Sequence, residues 1–237
     1  MSSDPVNSLV VPVYNNASSI AAVIERIGEI AAHVAGELET VFVIDGSPDN
    51  SHELLLNALE SNGARARVVE HSRNFGAFSA IRTGMRFARG RNIAVMAADL
   101  QEPSELVIEF FRRLGSGEVD VVGGERLSRD DRGDRASKLY WRLYRRFVVR
   151  EIPPEGVDVF GCTAAVRDVI CSLEEVHTSL VAQLFWVGFR REMVPYHRQS
   201  RPGESGWTLR RKFRYLSDSV WSASSASRSA SSSARRC

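Results

Sequence analysis

Short apolar, β-branched runs alternate with amphipathic segments along most of the chain. Residues 8–14 (SLVVPVY), 40–45 (TVFVID), 66–70 (ARVVE), 92–98 (NIAVMAA) and 119–123 (VDVVG) read as strands. Between them apolar residues recur at helical spacing. Ile20, Val23, Ile24, Ile27, Ala31 and Val34 follow a cap at Ser18 or Ser19, and further helices are predicted over 51–59, 75–89 and 104–114. Gly90 and Gly115 close the last two, and Pro12 sits at a strand end, where its missing N–H costs nothing. The run 92–98 is almost unbroken apolar, as a strand buried on both faces must be. Strand and helix in strict alternation predict an α/β fold with a mainly parallel central sheet flanked by helices, because parallel neighbours need a crossover between them.

In such sheets ligands sit beyond the carboxyl ends of the strands. Four polar sets fall there: Tyr14-Asn15-Asn16, Asp45-Gly46-Ser47, Arg73-Asn74-Phe75-Gly76 and Asp99-Leu100-Gln101. Each alone is ordinary turn chemistry; their shared position in the strand order gathers them into one crevice. Asp45, ending the second strand, suits hydrogen bonds from a ribose or a base imide. Asp99 and Gln101 offer oxygen ligands to Mg²⁺ or Mn²⁺, which would bridge to a diphosphate. Glu102 is expected to keep its negative charge beside them.

Composition narrows the class. The 237 residues are 43% hydrophobic and 25% charged, and 31 basic against 29 acidic residues leave a net charge of +2, so global charge gives no reason to expect nucleic acid as a partner. Cys162, Cys171 and Cys237 have no metal-ligand spacing and are odd in number, which favours a reducing compartment. No apolar run approaches the ~18–20 residues that cross a bilayer. A cytoplasmic protein is expected. Residues 137–149 (SKLYWRLYRRFVV) and 209–221 (LRRKFRYLSDSVW) mix aromatic and basic positions, either as interfacial helices making peripheral contact with the inner face of a membrane or as aromatic cover for the sheet edge. From residue 222 the chain is SASSASRSASSSARRC, too poor in apolar surface to order itself, so residues 1–221 form the predicted domain and 222–237 a disordered tail.

The stretches VVPVYNN, FVIDGSPDNS, HSRNFGAFSAIRTGMRFARG and VMAADLQEP, with the later VGFRREMVPYHR and RPGESGWTLRRKFRYL, resemble family 2 glycosyltransferases of the GT-A fold, within them the dolichol-phosphate mannose synthase-like, polyprenyl-phosphate branch. The resemblance spans roughly residues 8–221. It implies a nucleotide-sugar donor, with Pro12, Tyr14 and Asp45 at the nucleoside and Asp99 and Gln101 at the metal and diphosphate. It implies inverting transfer by one direct displacement to a lipid-phosphate or growing glycan acceptor, in cell-envelope polysaccharide or glycolipid synthesis. The departing nucleoside diphosphate needs cationic help. In ERLSRDDRGDR, Arg126 and Arg129 best match the family's basic positions, while Arg132 and Arg135 are interleaved with Asp130, Asp131 and Asp134 as in a self-neutralising loop. Arg201 and the Gly203-Glu204-Ser205 turn resemble the loop that closes on the donor. A phosphate acceptor is already ionised and needs no base; a hydroxyl acceptor would make Asp158 the candidate base, its other reading being a turn carboxylate.

Three departures from the family pattern all remove acid. Asn16 replaces the usual Glu, Ile44 the first Asp of Asp-Asp-Gly-Ser, and Ala97 the first Asp of Asp-x-Asp. Metal affinity is therefore expected to be weak without donor. A catalytically weak or inactive nucleotide-sugar-binding protein is the alternative, and a nucleotidyltransferase on a similar sheet lacks its glycine- and lysine-rich first loop.

Overall fold

The computed structural model describes residues 6–62, 65–127, 157, 159–173 and 180–199. Strand β1 (Asn7–Val13) leads through a 3₁₀ turn at Ala17–Ser19 into α1 (Ile20–His33), followed by β2 (Leu38–Ile44), α2 (Ser51–Asn62), β3 (Ala66–Glu70), α3 (Ala77–Phe87), β4 (Asn92–Val95), α4 (Ser104–Gly115) and β5 (Val121–Arg126). After an interval come β6 (Phe160–Thr163), α5 (Ala164–Ser172), α6 (Leu180–Trp186) and β7 (Arg191–Tyr196). The expected strands and helices are present, with ends displaced by a few residues.

The sheet order is β3-β2-β1-β4-β6-β5-β7. β1, β2, β3 and β4 are parallel, in registers such as Val13 with Ile44 and Val10 with Val95. β6 runs antiparallel to both β4 and β5. Two reversals restore the direction, so β5 and its parallel neighbour β7 end on the same rim as β1 to β4. The sequence rhythm contained no hint of β6: four residues, FGCT, are too few to show a period.

Both faces of the sheet are covered, and alternate residues of β1 divide between them. Leu9, Val11 and Val13 join Phe42 and Ile44 against Ile20, Val23, Ile27 and Ile30 of α1 and Leu106, Val107, Phe110 and Leu114 of α4. Val10 joins Val41, Val43 and Ile93 against Ala80, Ile81 and Met85 of α3, Val166 and Ile170 of α5, and Leu184 of α6. This accounts for the unalternating apolar strands: neither face meets water. Helix α3 lies especially close to the sheet, since a Cβ at Gly84 would stand 2.3 Å from Val10 Cγ1. Pro12 lies beyond the last residue of β1 registered with β4, where no ladder bond requires its nitrogen.

Residues 137–149 and 209–221 and the tail 222–237 lie outside the described residues. Among the described residues no helix is long and apolar enough to cross a membrane.

Candidate active site

The rim holds two stitched assemblies, one around β1, β2 and β3 and one around β4 and β7. In the first, Asp45 follows β2 and is buried, and its backbone N–H donates to Val13 O at 2.9 Å. Its carboxylate accepts hydrogen bonds from Phe75 N (2.9 Å) and Gly76 N (2.8 Å), and His71 Nδ1 lies 2.8 Å from Oδ1. The acid therefore fastens the loop that leads into α3, through the amides of the two residues before the helix begins. Gly46 has φ +58°, and a Cβ there would meet Arg73 C at 2.3 Å, so the loops after β2 and β3 touch only because residue 46 is glycine.

Asp49 ties the loop after β1 to the loop after β2. Its carboxylate accepts from Ser47 Oγ and Ser51 Oγ, both at 2.6 Å, and from Ala17 N at 2.9 Å. Partial burial opposes its ionisation, but the two hydroxyls and the backbone amides outweigh that and hold its pKa down at about 2. Ser47 Oγ also accepts from Asn15 N at 2.7 Å, and Asn15 takes a left-handed φ of +57°. Beside them Tyr14 is exposed, as are Arg73, Asn74 and Phe75; the Arg73 guanidinium lies 4.2 Å from the Phe75 ring centroid.

In the second assembly the chain after β4 turns sharply, with Leu100 at φ +61°. Arg26 of α1 donates to the carbonyls of Leu100 (3.0 Å) and Glu102 (2.6 Å), and Gln199 N donates to Gln101 O at 2.9 Å. Asp99 is half-buried and its Oδ1 accepts from Gln101 N at 3.3 Å. Gln101 Oε1 accepts a hydrogen bond from the Arg198 guanidinium.

Glu102 is 1% exposed, and burial, with the Asp99 carboxylate adding to it, pushes its pKa up to about 7 against the pull of Arg198. The expectation that Glu102 keeps its charge is corrected: near neutrality it is divided between the two forms. Among the described residues its Oε2 has no hydrogen-bond partner, and the Tyr196 hydroxyl is buried beside Arg126. Burial raises the Tyr196 phenol as well, and Glu102 adds to that. Arg126, at the end of β5, is buried in the same region and acts on the Tyr196 phenol in the opposite sense.

The structure thus brings Pro12, Tyr14, Asn15, Asp45, Gly46, Ser47, Arg73, Asn74, Gly76, Asp99, Gln101 and Arg126 to one rim. Arg129, Asp158, Arg201 and Ser205 lie outside the described residues. Among the described residues no cluster of three His, Cys, Asp or Glu side chains is placed to hold a metal. Asp99 offers a carboxylate and Ala97 offers nothing, while the Gln101 amide oxygen already accepts from a guanidinium. These residues fit a Mg²⁺-type ion only if most of its ligands are water and ligand phosphate, as that ion tolerates. His71, Asp49, Arg26 and Arg198 were not foreseen as site residues.

Residues 8–172 match the family model described as Glycosyl transferase family 2. The chain belongs to that family. An uncharacterized glycosyltransferase of Bacillus subtilis, YkcC, is 32% identical over 219 residues, covering 90% of this chain and 67% of that protein. Among solved structures, the mannosyltransferase PcManGT from Pyrobaculum calidifontis, in complex with GDP-Man and Mn²⁺, superposes with a TM-score of 0.62 at 16% identity, over 100% of this chain and 77% of that one. The glucosyl-3-phosphoglycerate synthase of Mycobacterium tuberculosis, in complex with Mn²⁺, UDP and glucosyl-3-phosphoglycerate, gives a TM-score of 0.61 at 17% identity, over 92% of this chain and 78% of that one. The sheet and its flanking helices are the GT-A fold, and the protein is a glycosyltransferase.

Proposed function

We propose that the enzyme takes a sugar from a nucleotide-diphosphate donor bound across this rim and passes it, with inversion, to a polyprenyl-phosphate or growing glycan acceptor, as in the dolichol-phosphate mannose synthase-like branch. The observation that carries the reading is the convergence of Asp45 and Asp99, 54 positions apart, on one rim. The loops after β1, β2 and β3 would take the nucleoside and the loop after β4 the diphosphate. The complexes of PcManGT with GDP-Man and Mn²⁺ and of the mycobacterial synthase with UDP and Mn²⁺ support a donor and a divalent cation of this kind.

Breaking the anomeric C–O bond leaves a nucleoside diphosphate whose growing charge must be stabilised. A cation held by Asp99, with Gln101 once Arg198 lets go, would supply Lewis acidity there. The chain's own contribution is positional. Arg26 and Gln199 hold the 99–102 backbone, and Arg126, with Arg129 and Arg201 by family resemblance, supplies positive charge. Ser205 closes on the donor and Asp158 serves as base for a hydroxyl acceptor on the same grounds. Basic and aromatic residues in 137–149 and 209–221 support peripheral attachment at the cytoplasmic face of a membrane.

The test is product formation from UDP- and GDP-sugars with Mn²⁺ and a polyprenyl phosphate, run with thermal shift. Loss of both turnover and donor stabilisation in Asp99→Ala is expected. Indifference of Asp99→Ala to every nucleotide would overturn the site. Ala97 and the engaged Gln101 favour a second reading, a donor-binding protein with little turnover, which would show donor stabilisation without product.

A further inference from the structure

Asp45 is enclosed by the segment that follows β3. It is 2% exposed and accepts three hydrogen bonds, all from the segment 71–76. A carboxylate has about four lone-pair sites, so little capacity is left. What faces outward is the segment it holds, where Arg73, Asn74 and Phe75 are exposed. His71 fastens that arrangement at its other end. Because the Asp45 carboxylate can only accept, Nδ1 of His71 carries the proton between them, at 2.8 Å. The second ring nitrogen, Nε2, is 2.9 Å from Thr83 Oγ1 in the middle of α3. The imidazole also stands edge-on to the Phe75 ring at 5.3 Å and 84°, and the Arg73 guanidinium lies over that same ring. The backbone is secured separately, by His71 N donating to Ile44 O at 2.9 Å, so changing the side chain leaves the strand connection in place.

We propose that His71 is a positioning residue of the donor site: the chain Asp45–His71–Thr83 clamps the end of β2 to α3 and sets the 73–76 loop in the conformation that receives the nucleoside. The inference rests on the donor-binding reading above. No proton need move during transfer. The clamp acts by ordering before the ligand arrives, which lowers the cost of binding.

The test uses the full chain with UDP and GDP as probes, each with Mn²⁺, and compares His71→Leu, His71→Asn and Thr83→Val by calorimetric titration and by hydrogen exchange without nucleotide. His71→Leu removes a hydrogen bond to a charged acceptor and should weaken nucleotide binding about ten- to a hundredfold. Faster exchange of the Phe75 and Gly76 amides should accompany it. His71→Asn keeps a donor on the Nδ1 side and should restore most of the affinity, which a purely space-filling role would not allow. Thr83→Val, similar in volume, should weaken binding by only a few-fold. If His71→Leu binds as well as wild type, or if Asn rescues no better than Leu, the proposal is wrong. Should wild type bind neither nucleotide, the donor reading fails by itself. The exchange data then still judge the clamp, since unchanged protection of Phe75 and Gly76 in His71→Leu would refute it.

Discussion

Asp49→Asn tests whether the loops after β1 and β2 are held by the carboxylate that joins them. The side chain accepts from two hydroxyls at 2.6 Å and from Ala17 N at 2.9 Å. Its pKa falls from 3.8 to about 2 on folding, which at about 1.4 kcal/mol per unit sets a ceiling of roughly 2 kcal/mol. Partial exposure screens part of that, so about 1–2 kcal/mol is the working figure. Asn offers one accepting oxygen in place of two, and its NH₂ would face donors.

The sign follows from linkage. A carboxyl whose folded pKa is depressed stabilises the fold fully above its unfolded value of 3.8, and that benefit is lost as pH falls through about 2. Wild type should therefore exceed Asp49→Asn by about 1–2 kcal/mol in urea unfolding at pH 6, with about half of the ionisation-linked part gone by pH 3. Donor affinity should fall with it, because Ser47 and Asn15 lose their anchor. A stability difference that is the same at both pH values would refute the ionic account, and no difference at all would refute the role of Asp49.

Three further outcomes are expected. Gly46→Ala places a Cβ 2.3 Å from the Arg73 carbonyl carbon at a φ of +58°, so urea unfolding should show a loss of at least about 2 kcal/mol, and thermal shift a weaker response to nucleotide. Phe110→Ala empties a site with no solvent exposure between α4 and the sheet and should cost about 3–5 kcal/mol in the same assay. Ala97→Asp adds a second carboxylate two positions from Asp99 and should tighten Mn²⁺ binding in the absence of nucleotide by about tenfold or more, read by titration calorimetry; an unchanged affinity would show that residue 97 does not face the ion.

The parts of the fold legible in the sequence are those where a local pattern and a tertiary demand coincide. The strands β1, β2 and β4 are buried on both faces, so apolar residues run almost unbroken along their later halves, while the edge strand β3 is partly buried and still keeps Val68 and Val69 at its centre; the helices between them show one apolar stripe each. The later strands lack that coincidence. β6 has four residues, and β7 is an edge strand whose sequence, REMVPY, carries two charged residues and contains Pro195, which an edge position tolerates. The rim was legible because parallel strands deliver their ends to one side. What each rim residue touches was not. Asp49 reads as one member of a turn, and nothing near it in sequence marks Ala17 as a partner. Arg26 is 74 positions from Leu100, and Arg198 is 97 from Gln101; Arg26 reads as one more polar position on an amphipathic helix.

These partnerships change how the missing acids are understood. Counted from sequence, the rim keeps Asp45, Asp49, Asp99 and Glu102 and has lost three acids to Asn16, Ile44 and Ala97. Counted from contacts, Asp45 is occupied by His71 and two loop amides, and Asp49 by serines and Ala17. Glu102 is only partly ionised near neutrality because it is buried beside Asp99. Asp99 is half-buried and belongs to the loop expected to meet a diphosphate. On the same rim stand Arg26, which holds the carbonyls of Leu100 and Glu102, Arg198, which holds Gln101, and Arg126 at the end of β5. Neutralising a diphosphate takes positive charge from either a cation or guanidinium groups. With Ala97 in place of a second aspartate beside Asp99, this loop repels phosphate less than a two-aspartate site without metal would. It also offers a bare cation less, so ion and donor should bind interdependently.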